Sequence, residues 1–140
     1  MRLRIALVVA LAVAVVAAPA GAAIRVTLTA TTKAPQVGEA WRWTVTARDG
    51  TKPVAARVKL QILLGDTVVG CWKSGAMTQC AGKTAGDAIS FHGKRTGVIR
   101  WPAESVGVAL TFQAVVTANK RTQRLRTAVR VQASSPSSAS

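Results

Sequence analysis

The chain has 140 residues, which is enough for one domain with its own core but not for two. It carries 19 Lys and Arg against 5 Asp and Glu, and a formal charge of +14 draws a protein toward nucleic acid, anionic lipid or phosphate-bearing polymers. With one histidine and few acids, the composition argues against acid–base catalysis. The charges are dispersed, so a protein that is basic without binding a polyanion remains the alternative.

The N-terminus has the three parts of a secretory signal peptide. Arg2 and Arg4 form a basic start, an uncharged apolar run covers residues 5–18, and small residues follow. We predict cleavage after Ala22, with a cut after Ala23 as the alternative. Residues 1–22 are therefore predicted to be removed from the mature protein.

The competing interpretation of this segment is an uncleaved N-terminal membrane anchor. The uncharged stretch extends to Ile24, close to the ~20 residues that a spanning helix needs, but its last turn contains proline and glycine. Cleavage is favoured on that ground. We therefore expect a secreted or extracytoplasmic protein, with the anchored form as the alternative.

From Ile24 onward, apolar residues recur at every second position, which is the period of β-strands. Val26 and Leu28 alternate with threonines in the first predicted strand, and Trp41 and Trp43 alternate with polar residues in the second. Two tryptophans two positions apart are bulky for one sheet face. Trp41, near the strand end, is therefore expected to be partly exposed.

The third predicted strand, VAARVKLQILL, assigns alternate residues from Ala56 to Leu64 to the core and Arg57, Lys59 and Gln61 to solvent. The strand TVVGCW follows, and AISF and VIRW read as two short strands around a turn, HGKRTG. Two longer strands, VALTFQAVVTA and QRLRTAVRVQ, close the domain.

Seven or eight short strands with one buried face each predict an all-β fold, an antiparallel β-sandwich of two sheets packed face to face. The predicted organisation is a helical signal peptide at 1–22, the sandwich at 23–132 and a disordered Ser-rich tail at 133–140.

The chain has two cysteines, Cys71 and Cys80, which could be a redox pair, metal ligands or a disulfide. A redox motif has the spacing Cys-x-x-Cys, and a structural zinc site needs four ligands. In an exported chain an even number of cysteines indicates disulfides, and this separation suits the two arms of a hairpin. We predict a disulfide between directly opposed residues at the edge of the sandwich, contributing a little under ~3 kcal/mol on the chain-entropy model.

The segment APQVGEAWRWTVTARDGTKPVAARVKLQI has a Pro-x-x-Gly turn before its second strand and a Gly/Pro turn before its third. It resembles the opening of bacterial immunoglobulin-like modules of the invasin or fibronectin-like kind. LTFQAVVTANKRTQRLRTAVRV is similar to the closing hairpin of such modules. The resemblance spans about Ile24 to Gln132 and implies that the fold is a single immunoglobulin-like antiparallel β-sandwich. It also implies an extracellular spacer or adhesion-type domain without catalysis.

Catalytic and cofactor sites are not indicated. The single histidine, His92, lies in a basic turn, the five acids form no close pair, and Gly-x-Ser-x-Gly and phosphate-cradling glycine loops are absent from the sequence. We expect no enzymatic activity, no cofactor, no metal and no small-molecule substrate. The alternative is a copper site built from His92, Met77 and a reduced thiol.

The outer face of the last strands carries the strongest binding signal. In sandwiches of this type the third, sixth and seventh main strands share one sheet. Their outward residues would form a flat basic face together with Gln61, Thr111, Gln113 and Thr117. The candidate polyanion-binding residues are Arg57, Lys59, Lys120, Arg121, Arg124, Arg126 and Arg130.

Two interpretations of this basic face remain open. Lys and Arg on a terminal strand also prevent aggregation between sheet edges, without any ligand. The sequence thus predicts a secreted, non-enzymatic immunoglobulin-like module with a structural or binding role at the cell envelope or outside the cell. The alternative is a cationic binder of anionic surface polymers or nucleic acid. The expected partner is an anionic cell-surface polymer or another envelope protein.

Overall fold

The computed structural model describes residues 24–134, in which there are ten β-strands. The strands are β1 (Ile24–Ala30), β2 (Ala40–Asp49), β3 (Lys52–Pro53), β4 (Ala55–Leu64), β5 (Thr67–Lys73), β6 (Ala76–Gln79), β7 (Ile89–His92), β8 (Lys94–Arg100), β9 (Ala109–Ala118) and β10 (Arg121–Arg130). The sequence predicted eight of them; the two-residue β3 and the short β6 are additional. The predicted signal peptide and residues 135–140 of the predicted tail lie outside this range.

The strands form two antiparallel sheets, which confirms the predicted all-β sandwich. In the first sheet β2 pairs with β1 on one side and with β3 and β8 on the other. The second sheet has the order β10-β9-β4-β5-β6, with β7 pairing with β4 beside β5. Between residues 24 and 134 no helix is long and apolar enough to cross a membrane.

Aromatic side chains from both sheets meet at the centre of the core. The ring of Trp41 on β2 lies edge-on to Phe112 on β9, with centroids 5.0 Å apart, and to Trp101, with centroids 5.4 Å apart. Trp41 is 1% exposed, so the expectation of partial exposure was wrong. Its indole N–H donates to the carbonyl of Thr32 at 2.7 Å, which satisfies the one polar atom that burial would otherwise leave unpaired.

The second tryptophan of β2 is accommodated by a glycine. Trp43 pairs across the ladder with Gly97 of β8, and a Cβ at Gly97 would lie 2.4 Å from Cζ2 of Trp43. The predicted turn HGKRTG was therefore wrong in extent, because residues 94–97 already belong to β8. Gly93 alone, at φ 75°, carries the chain from β7 in one sheet to β8 in the other.

The alternation predicted for the third strand is correct for the first part of β4. Ala56, Val58 and Leu60 are buried in the core. Leu64, also predicted to face the core, is 49% exposed because it lies at the end of β4 beside the turn to β5. The pairing of β4 with β5 also contains an irregularity between Ile62 and Leu63.

The predicted disulfide joins the two arms of the β5–β6 hairpin. Cys71 and Cys80 are bonded, with Cα atoms 5.6 Å apart. Cys71 pairs across the ladder with Thr78, so the bond is diagonal and not between directly opposed residues. Ser74 and Gly75 form the turn, both with positive φ, as a type I′ hairpin requires. Because β6 is an edge strand, the bond lies at the edge of the sandwich, as predicted.

Candidate functional site

The outer face of the second sheet is organised in three rows that cross β4, β9 and β10. Strand alternation sends every second residue of these strands into the core and the residues between them to this face. From the β9–β10 turn inward, the rows are Arg57–Thr117–Thr122, Lys59–Val115–Arg124 and Gln61–Gln113–Arg126. Long cationic side chains therefore come from β4 and β10, whereas β9 between them contributes shorter ones.

A loop covers part of this face. Residues 81–88, here called the covering loop, connect Cys80 to β7. The side-chain amide of Gln61 donates to the carbonyls of Lys83 at 3.0 Å and of Ala85 at 2.8 Å. One side chain from the central strand therefore fixes the middle of the covering loop against the sheet.

Further hydrogen bonds secure the covering loop on either side of these contacts. Lys59 Nζ donates to the carbonyl of Thr84 at 3.1 Å. The backbone N–H of Asp87 donates to the carbonyl of Trp72 at 2.8 Å, and the Asp87 carboxylate accepts from the N–H of Ser74 at 2.8 Å. The disulfide ties the start of the loop to the β5–β6 hairpin, so the loop is restrained along its whole length.

The two glutamines of the third row are buried. Gln61 is 0% exposed and Gln113 is 2% exposed, so the prediction that both face solvent was wrong. Gln113 donates to Gln61 Oε1 at 2.8 Å and accepts from Arg126 Nε at 2.7 Å. Arg126 also lies 3.7 Å from the carboxylate of Asp66. Arg126 therefore has partners within the protein, although its side chain remains about half exposed.

Apolar residues extend this buried region toward the hairpin. Leu63, Val68 and Cys71 are buried but do not belong to the core cluster between the sheets. Cys71 pairs across the ladder with Gln61, which places it on the same outer face. Part of the face that was predicted to be flat and basic is thus occupied by buried polar and apolar side chains.

Another part of the face is an open furrow of about 330 Å³ between the covering loop and β10. Its lining consists of Arg57, Lys59, Gln61, Lys83, Thr84, Ala88, Val115, Thr117, Thr122 and Arg124. Four of these side chains are cationic and none is acidic. We call this site the basic furrow.

The positive charge of the basic furrow is uncompensated by carboxylates. Within residues 24–134, Arg126 with Asp66 is the only ion pair closer than 4.0 Å. Arg57, Lys83 and Arg124 therefore have no carboxylate at that distance. Protection of a sheet edge explains arginines on β10 but not cations on β4, which is central in its sheet.

The predicted polyanion-binding residues separate into groups. Arg57, Lys59 and Arg124 meet in the basic furrow, whereas Arg126 is engaged with Gln113 and Asp66. Lys120 and Arg121 are exposed at the β9–β10 turn, next to the open end of the furrow. At the opposite end of β10, Arg130 donates to the carbonyl of Gly107 at 3.0 Å.

Lys83 was missed because no local pattern in AGKTAGD distinguishes it from any loop lysine. The usable signal was its position, between a cysteine tied to one strand and the start of another.

No model of a known protein family matches the chain, and no curated protein matches it.

The residues of the alternative copper site lie on separate strands. His92 is exposed on β7 opposite Ala55, and Met77 lies on β6 opposite Trp72, while both thiols are in the disulfide. Across residues 24–134, no three His, Cys, Asp or Glu side chains form a group that could hold a metal ion.

A second cleft, of about 550 Å³, lies between the sheets beside β8. Its lining includes apolar side chains such as Met77, Ile99 and Trp101, together with one cation, Arg100, and one acid, Glu104. The charges in this cleft are opposite in sign, unlike those that line the basic furrow.

Proposed function

We propose that this chain is an exported, non-enzymatic immunoglobulin-like module that binds anionic polymers at the cell envelope or outside the cell through the basic furrow. The observation that carries the proposal is the convergence of Arg57, Lys59, Lys83 and Arg124 in one concave site without an acidic side chain. A site of this kind concentrates positive potential and attracts polyanions. Binding then releases the counterions of the polymer, which makes affinity strongly dependent on salt.

The distribution of strands supports the immunoglobulin-like part of the proposal. β1, β2 and β8 lie in one sheet and β4, β9 and β10 in the other. In immunoglobulin-like sandwiches the first, second and fifth main strands likewise face the third, sixth and seventh. The cysteines differ from those of antibody domains, because they join neighbouring strands of one sheet.

Export is supported by the N-terminal sequence and by the disulfide, since structural disulfides persist mainly in oxidising compartments. N-terminal sequencing of the protein recovered from outside the cytoplasm tests this part. We expect the mature chain to begin at Ala23 or Ile24. A chain that retains residues 1–22 would indicate the anchored alternative.

Retention on phosphocellulose at rising NaCl concentration tests the binding site. The furrow variant carries Arg57→Gln, Lys83→Gln and Arg124→Gln. The matched control carries Lys33→Gln, Lys52→Gln and Lys73→Gln, which are exposed positions in three different segments, and has the same net charge. Far-ultraviolet circular dichroism checks that both variants fold.

We expect the furrow variant to elute at clearly lower salt than the control, because the furrow cations act together on one ligand. Both variants should elute before the wild-type protein. Equal elution of the two variants would show that net charge alone causes retention, and would refute the basic furrow as the binding site.

A further inference from the structure

The outer face of the first sheet carries cations and threonines but no acid. Trp41, Trp43 and Val45 of β2 are buried, so strand alternation turns the residues between them outward, and the pairing of β2 with β1 and β8 extends this face to those strands. No outward residue of β1, β2 or β8 is an aspartate or a glutamate. We call this surface the first-sheet face; its cations, all exposed, are Arg25, Arg42, Arg48, Lys94 and Arg100.

Two rows of threonines form the centre of the first-sheet face. Thr27 pairs with Thr46, and Thr29 pairs with Thr44, which pairs in turn with Thr96. The hydroxyls of Thr27 and Thr46 are hydrogen-bonded, and those of Thr44 and Thr96 are 3.1 Å apart. Each hydroxyl pair uses one hydrogen internally and leaves the other free to donate to a ligand. The centre of the face therefore consists of short, uncharged side chains with hydroxyl donors, and the longer cationic side chains lie around it.

Neither protection of a sheet edge nor ion pairing accounts for these cations. β2 is central in its sheet, with β1 on one side and β8 on the other, yet it carries Arg42 and Arg48. The acids at the two ends of β2 are Glu39, which precedes the strand, and Asp49, its last residue. No cation of residues 24–134 lies within 4.0 Å of either carboxylate. The positive charge of the face is thus left for solvent or a ligand to balance.

Two of the cations are directly opposed. Arg25 of β1 pairs with Arg48 of β2, and their side chains leave the sheet on the same side. Like charges in directly opposed positions destabilise a sheet. An anion bound between the two guanidinium groups would remove this repulsion, and the Thr27–Thr46 hydroxyl pair in the next row would donate to the same ligand. Arg25 and Arg48 therefore offer the strongest anion contact on this face.

The first-sheet face and the basic furrow point in opposite directions. The furrow lies on the outer face of the second sheet, and the core between the two sheets separates the two surfaces. Facing sheets are about 10 Å apart, so a straight polymer segment in contact with one surface cannot reach the other. A linear anion held by one surface leaves the other open to a second strand.

We propose that the first-sheet face is a second binding surface for the anionic polymer that the basic furrow binds, and that the protein thereby bridges two strands of this polymer. The inference rests on the proposed function, because the furrow provides the first of the two contacts. Each contact is electrostatic and depends on salt. Two such contacts on one molecule connect polymer strands into a network.

Isothermal titration calorimetry at low salt counts the binding surfaces, with an inorganic polyphosphate oligomer too short to reach around the sandwich as the probe. The first-sheet variant carries Arg25→Gln, Arg42→Gln and Arg48→Gln. The furrow variant and the control with Lys33→Gln, Lys52→Gln and Lys73→Gln are those described above. We expect the wild type and the control to bind two oligomers per protein, and the first-sheet and furrow variants to bind one each.

Light scattering with long-chain polyphosphate measures bridging. The wild type and the control should form large assemblies at intermediate ratios of protein to polymer, and an excess of protein should dissolve them because each strand is then saturated. The first-sheet variant should bind the polymer through the furrow without forming assemblies. Far-ultraviolet circular dichroism checks that it folds. The single variant Arg48→Gln removes the repulsion from Arg25, so it should reduce scattering without lowering the free energy of unfolding.

One oligomer bound by the wild type, with loss of binding in the furrow variant, would overturn the second surface and leave the proposed function intact. Assemblies of unchanged size with the first-sheet variant would also overturn it, because net charge or self-association would then explain them. If the furrow variant binds as many oligomers as the wild type does, the proposed function itself fails.

Discussion

Gln61 of β4 and Gln113 of β9 are buried against each other on the outer face of the second sheet, joined by a hydrogen bond of 2.8 Å. The carboxamide of Gln61 uses both of its N–H donors on the covering loop and its oxygen on Gln113. A side chain in the middle of the sheet thus positions the loop that forms one wall of the basic furrow.

Replacing Gln61 with Leu should destabilise the protein and release the covering loop. The carbonyls of Lys83 and Ala85 would lose their donor, and an unsatisfied buried polar group costs about 1–3 kcal/mol. Urea unfolding measures the free energy, and hydrogen exchange reports on the loop amides. Gln79→Leu, at an exposed position on β6, is the matched control and should have little effect. Unchanged exchange of the loop amides in Gln61→Leu would contradict this role.

Removal of the disulfide should weaken anion binding as well as stability. In Cys71→Ser with Cys80→Ser the covering loop loses its tie to the hairpin, and the free energy of unfolding should fall by a little under ~3 kcal/mol. The protein should elute from phosphocellulose at lower salt because Lys83 is no longer held in place. The control is wild-type protein with a reduced disulfide, verified by thiol titration. If the reduced protein elutes at the same salt concentration as the oxidised protein, the covering loop does not need the Cys71–Cys80 disulfide to keep its position.

Gly97→Ala should destabilise the core through a steric clash. The added Cβ would lie 2.4 Å from Cζ2 of Trp43, and overpacking of a core costs about 1–3 kcal/mol. Thermal unfolding followed by tryptophan fluorescence measures the loss. Val98→Ala, at the neighbouring 40%-exposed position, is the control. If Gly97→Ala is as stable as the wild type, the indole of Trp43 can shift away from the added Cβ without a loss in the free energy of unfolding.

Trp41→Phe and Trp43→Phe remove similar volumes from one strand but should differ in cost. Trp41 donates to the carbonyl of Thr32, whereas the indole N–H of Trp43 is buried without a hydrogen-bond partner. Only the first substitution leaves a carbonyl without its donor, so it should cost about 1 kcal/mol more. Urea unfolding of both variants measures this difference. A larger loss for Trp43→Phe would show that packing against Gly97 outweighs the hydrogen bond.

Local pattern was sufficient for the fold and for part of the site. Val26, Val58, Phe112 and Val129 are core residues that alternation alone identifies, because a side chain on a strand can only face one of two sides. The same rule, together with the strand arrangement of immunoglobulin-like sandwiches, placed Arg57, Lys59 and Arg124 on a common outer face. The errors at Trp41 and Leu64 arose at strand ends, where neighbouring segments decide exposure.

The sequence by itself determined that apolar and polar residues alternate along the strands, that the two cysteines form a disulfide and that most charged side chains face solvent. Only the tertiary structure decided that the covering loop folds back over the second sheet, buries Gln61 and Gln113 and leaves a furrow beside them. Strand alternation is a local property, fixed by the geometry of each residue and its neighbours. A loop resting on a sheet depends on hydrogen bonds between residues more than twenty positions apart, and no period in the sequence records them.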